Sequence, residues 1–159
     1  MRWVVLSVEK CYLCSVVAVI CGRTALSNWL IKKQMDETLK KKLSKDPNGL
    51  MTYEYIANNI NDIDDILPEL IENIKLVDKT GQFVVSTARY LHAIDSQKYA
   101  ECIDALVKAA IERDREHVYL GDLIASLWGT DYKEHAQELS EKDNNFRRIY
   151  KRLYPAEGM

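Results

Sequence analysis

In DILPELIENIKLV, residues 65–77, apolar side chains stand at Ile66, Leu67, Leu70, Ile71, Ile74 and Val77. That 3-4-3 spacing gathers them on one face of an α-helix and scatters them over both faces of a strand. Pro68 fits the first turn of such a helix, where its missing N–H costs nothing. The same spacing returns in segment after segment from Met35 onward, and it constrains the fold more than any other feature. It predicts an all-α fold, a single small bundle-like domain of five to six helices. Turn-rich β folds need more than the six glycines and three prolines this chain spends over 159 residues.

The predicted elements follow from stripes and stop signals. MDETLKKKLSKDPNG, from Met35, begins acidic and ends in lysines, which complements a helix dipole, and Asp46 to Gly49 stop it. TYEYIANNI carries Tyr53, Ile56, Ala57 and Ile60 on one face, with Thr52 expected as its cap. NDIDD breaks that helix. The helix of residues 65–77 follows and closes at DKTG. A helix over 82–94 turns Val84, Ala88 and Leu91 inward. The next runs from a cap at Asp95 or Ser96 to about Arg115, on Tyr99, Cys102, Ile103, Leu106, Ala109 and Ala110. GDLIASLW is a short helix ending at Gly129. Thr130 or Asp131 then opens a long last helix to Tyr154, with Tyr132, Ala136, Leu139, Phe146, Ile149 or Tyr150, and Leu153 apolar. Asp143, Asn144 and Asn145 interrupt it and predict a kink or restart near 140–145. No period of 20–50 residues is legible in the letters, which argues against a solenoid.

Residues 1–34 read differently. WVVLSV (3–8) and CYLCSVVAVIC (11–21) are almost wholly apolar, split by Glu9 and Lys10. The division is therefore an apolar leader over 1–34, a helical domain over 35–155 and a tail over 156–159. The second run falls short of the roughly 20 residues that cross a bilayer. Joining the two runs buries a Glu–Lys pair, and Arg23 sits where a signal peptide wants small neutral residues. Three readings stay open: an anchor or signal through residues 3–22, an element packed on the domain, or a non-native extension ahead of a start at Met35. The expected location is cytoplasmic, the alternative being a membrane-anchored protein with its domain on the cytoplasmic side, where the lysines from Lys32 to Lys45 would hold it.

Charge narrows the function. The chain carries a formal −2, of which residues 1–34 contribute +4, leaving −6 for residues 35–159. A domain of that sign has no overall pull toward nucleic acid. No GxSxG, glycine-rich phosphate loop or HExxH is present. Cys11 and Cys14 form a CxxC, but a zinc site needs two further ligands and only Cys21 lies near. Cys102 sits among apolar neighbours that raise a thiol pKa and make it inert. Asp114 and His117 give half of an acidic-x-x-His pair, in a run, ERDREH, that reads as a solvated helix end. No cofactor and no metal are expected, and a metal-dependent helical enzyme is a distant alternative.

The segment 122–139 has the outline of a helix-turn-helix, with Ala125 and Gly129 spaced for a close crossing. Asp131, Glu134 and Glu138 on its second helix would repel phosphates. FRRIYKRLY, 146–154, places Arg147, Arg148, Lys151 and Arg152 among Phe146, Tyr150 and Tyr154. Those four cations suit either a helix C-terminus or a contact with RNA, DNA or an acidic protein partner. The favoured expectation is a non-catalytic interaction or regulatory protein that meets a protein partner around Tyr119, Trp128 and Tyr132. Trp128 ends a short helix at a glycine turn, where full burial is hard. Nucleic-acid binding, through 122–139 or the basic C-terminal helix, is the alternative.

Overall fold

A computed structural model describes residues 34–156, and the leader with its three cysteines lies outside the described residues. Among the described residues the chain is all-helical: α1 (Glu37–Leu43), α2 (Leu50–Asn59), α3 (Leu67–Val77), α4 (Gln82–Asp95), α5 (Ala100–Arg113), α6 (Leu120–Trp128), α7 (Ala136–Lys142) and α8 (Asn144–Leu153). The described residues from Met35 onward belong to one compact unit. No helix among the described residues is long and apolar enough to cross a membrane.

The apolar stripes do what their spacing requires. Ile56, Leu70, Ile74, Val84, Ala88, Leu91, Leu106, Phe146 and Ile149 are fully buried in one continuous core. Pro68 lies in the first turn of α3. Asp143 divides the last helical stretch in two, its carboxylate accepting the N–H groups of Asn145 and Phe146 to start α8.

Six of the eight helices form two layers of parallel neighbours. In one layer α2 packs on α4 and α4 on α6; in the other α3 packs on α5 and α5 on α8. Contacts at both ends set the directions. Gly49, at the start of α2, lies against the Cβ atoms of Asp78 and Phe83, at the start of α4. The Tyr90 hydroxyl, late in α4, donates to the carbonyl of Ala57, late in α2, at 3.1 Å. The second layer is tied the same way. Asn145 of α8 donates to Asp104 of α5 at 2.7 Å, and Arg152 donates to the carbonyl of Ile111 at the far end.

This arrangement overturns the expectation that no unit repeats. Asp46, Asp78 and Asp114 stand 32 and 36 residues apart, each just ahead of a helix of the first layer. Each is buried, and each accepts the N–H of the residue six positions on: Thr52 at 2.8 Å, Val84 at 2.9 Å and Leu120 at 2.9 Å. The third residue after each aspartate is left-handed: Gly49 at φ 97°, Gly81 at 86° and His117 at 59°. The residue ten positions on, Ile56, Ala88 or Ile124, is fully buried. Each unit is an aspartate turn, a helix and a return helix, with a period in the range of stacked helix-pair repeats. The third unit inserts α7 between its two layer helices.

Other expectations are corrected locally. Thr52 is no cap but lies inside α2, where its hydroxyl donates to Asp46 at 2.9 Å and accepts from the Asn73 amide at 2.9 Å. The helix expected to reach Arg115 ends at Arg113, because Asp114 turns the chain. The helix expected from Thr130 or Asp131 begins at Ala136.

Candidate partner-binding face

All three aspartate turns, including Asp114 of the acidic-x-x-His pair, are structural in the fold. Besides Val84, the Asp78 carboxylate accepts the N–H of Thr80, Gly81 and Phe83 and the Thr80 hydroxyl. Asp114 accepts Val118, Tyr119 and Leu120. A buried carboxylate that accepts several backbone N–H groups holds each of these helix starts in place. At Asp46, burial pushes the carboxyl up. The N–H and hydroxyl of Thr52, with the N–H groups of Gly49 and Asn48, outweigh that and hold it below the ordinary aspartate value.

The half-motif Asp114–His117 is therefore corrected. Glu112, Arg115 and Glu116 are exposed as a solvated helix end requires, but Asp114 is only 3% exposed, and it does not share a helical face with His117, which is left-handed. Among the described residues no three His, Cys, Asp or Glu side chains gather as a metal would need. Burial raises the Cys102 thiol, with Glu101 adding to it, so the thiolate form that reacts is disfavoured.

The aromatic residues expected to meet a partner have internal neighbours. Trp128 is half-buried, edge-on to Phe146 at 5.4 Å, and its indole N–H donates to Asp143 at 3.1 Å. Tyr132 is buried against Phe146 and Tyr150, and its hydroxyl shares a 2.7 Å hydrogen bond with that of Tyr154. Tyr119 precedes the other end of α6, about 13 Å from Trp128 along the axis at 1.5 Å per residue. The three do not make one exposed patch.

The basic residues of α8 are also partly committed. Arg152 donates to the last turn of α5, where a cation suits the dipole, and Arg147 donates to the Asn144 side chain. Arg148 is half-buried, and Lys151 is exposed. The short turn of a helix-turn-helix is absent from 122–139, because residues 129–135 separate α6 from α7 and carry Tyr132 into the core.

What the sequence did not reveal is a groove across the first layer. Tyr53 of α2, Ser86, Arg89, Tyr90, His92 and Ala93 of α4, and Ser126 of α6 enclose about 570 Å³. The Tyr53 and Tyr90 rings meet edge to face at 6.3 Å and form an aromatic wall. The Ser86 and Ser126 hydroxyls donate to carbonyls one turn back, Gln82 and Asp122, at 2.9 and 2.7 Å. Arg89 is 3.7 Å from Asp122, with the arginine side chain about half and the aspartate mostly in solvent. Such a pair contributes at most about 1 kcal/mol and leaves the guanidinium ready to exchange partners. No protein-family model, curated protein or solved structure matches this chain.

Proposed function

We propose that the helical domain is a non-catalytic docking module that holds a segment of a partner protein across α2, α4 and α6. The observation that carries this reading is the groove itself. It draws on all three helices of one layer, and stacked helix pairs use such extended faces for binding. Its lining mixes aromatic, small and polar side chains in the manner of protein contact surfaces. The three buried carboxylates of the turns are occupied by the backbone they hold.

Selection of a displayed random-peptide library on the full chain tests this. Ala93 is exposed on α4, so Ala93→Trp fills the groove without entering the core. Enriched peptides should bind the native chain and lose at least tenfold in affinity for the variant. Equal binding to both, or no enrichment, refutes the docking role of this face.

A further inference from the structure

We infer that the segment held by this groove is acidic, an extended stretch whose Asp or Glu side chain meets Arg89 while an apolar neighbour rests on Tyr53 and Tyr90. The inference rests on the docking reading and narrows it to one partner chemistry.

The electrostatics of the lining carry it. Residues 35–159 have a net charge of −6, yet no carboxylate lines the groove, and its one permanent charge is the Arg89 guanidinium. The acidic residues of the three helices, Glu54, Asp95 and Asp122, all stand outside that lining. A groove whose one permanent charge is a cation, with its nearest carboxylate at 3.7 Å outside the lining, favours an incoming carboxylate and disfavours a basic segment.

Hydrogen bonding points the same way. Ser86, Ser126 and Tyr90 direct their hydroxyl protons to backbone carbonyls. Arg89 is thus the strongest donor lining the groove, and a guanidinium matches a carboxylate with two parallel N–H···O bonds. Asp122 is a weak competitor at 3.7 Å, with its side chain 73% exposed. An incoming carboxylate at hydrogen-bond distance, partly shielded by the two tyrosine rings, displaces it.

The test uses the full chain and peptides recovered from the random library, synthesised with C-terminal amides so that side chains supply every carboxylate. Binding is read by fluorescence anisotropy at low and moderate salt. The expected result is enrichment of Asp or Glu beside an aromatic or aliphatic residue. Affinity should fall about tenfold or more in Arg89→Glu, less in Arg89→Lys, which keeps charge but loses the fork, and should weaken as salt rises. Arg89 is exposed, and circular dichroism on each variant, with Arg89→Gln as a milder change, separates lost binding from lost fold. Peptides that lack acidic excess and bind Arg89→Glu and Arg89→Gln as well as the native chain, yet are blocked by Ala93→Trp, overturn the acidic partner and leave the docking face standing. Peptides indifferent to Ala93→Trp overturn both.

Discussion

The same three helices carry two contrasting regions. At their starts, Asp46, Asp78 and Asp114 are buried and every carboxylate oxygen accepts at least one hydrogen bond. Along their outer side, the groove holds an exposed arginine with one long ion pair and hydroxyls that satisfy themselves locally. Polar groups in the first region are tied to the backbone and specify the fold. In the second, Ser86 and Ser126 bond within their own helices and Arg89 meets only a solvated carboxylate, so changing them costs the fold little and leaves Arg89 available to a partner. Tyr90, tied to the Ala57 carbonyl, is the exception. The contrast yields a graded set of expectations, strongest at the turns.

Asp78→Ala should be the most damaging. It removes five hydrogen bonds at once and leaves the buried N–H groups of Gly81 and Val84 without acceptors. A buried unsatisfied donor costs about 1–3 kcal/mol, so denaturant unfolding should report a loss of about 3 kcal/mol or more. A loss under about 1 kcal/mol, where exposed polar substitutions fall, would erase the distinction between the two regions. Gly49→Ala comes next. A Cβ there would lie 3.0 Å from that of Asp78 and 3.2 Å from that of Phe83, at a φ of 97° that L side chains avoid. The strain and the push between adjacent turns should cost about 2 kcal/mol.

Asp46→Asn keeps the shape, removes the charge and turns one of two accepting oxygens into a donor. Because the folded carboxyl titrates below its unfolded value, near 3.9, its contribution is fully present above that value and is lost as pH falls through the folded one. The variant should lose about 1–2 kcal/mol at neutral pH, and its deficit should shrink on acidification below about pH 4. A deficit independent of pH would mean that geometry, not charge, sets the strength of this turn.

The third turn is the imperfect copy, and it explains what the sequence hid. Amphipathic stripes, Pro68 and the restart at Asp143 were legible because each works within a few residues of itself. The repeat was not, because the recurring features are few: an aspartate, a left-handed residue three on, and buried residues six and ten on. At the third position His117 stands where Gly49 and Gly81 stand in the other units, which removes the one letter that would have marked it. The aspartate itself was misleading, since ERDREH looks solvated and nothing local tells that Asp114 faces three N–H groups. The groove was illegible for a different reason. Tyr53, Arg89 and Ser126 come from three helices and meet only through stacking. Trp128 and Tyr132 attracted attention as isolated aromatics, while Phe146 and Tyr150, which occupy them, lie beyond a helix break. His117→Gly should repair the copy and stabilise the domain by about 0.5–1 kcal/mol, the left-handed strain relieved less the entropy glycine adds to the unfolded chain.

The smallest effect belongs to the groove. Arg89→Ala breaks only a solvated contact at 3.7 Å, and Ala93→Ser changes an exposed helical position. Each should alter unfolding free energy by no more than about 0.5 kcal/mol, while Arg89→Ala weakens binding of an acidic peptide about tenfold. A fold that tolerates a substitution which binding does not is the signature of a surface shaped for contact. If Arg89→Ala instead lowered stability as much as Asp46→Asn, the arginine would belong with the turns as part of the scaffold, and the division drawn across these three helices would fail at its functional end.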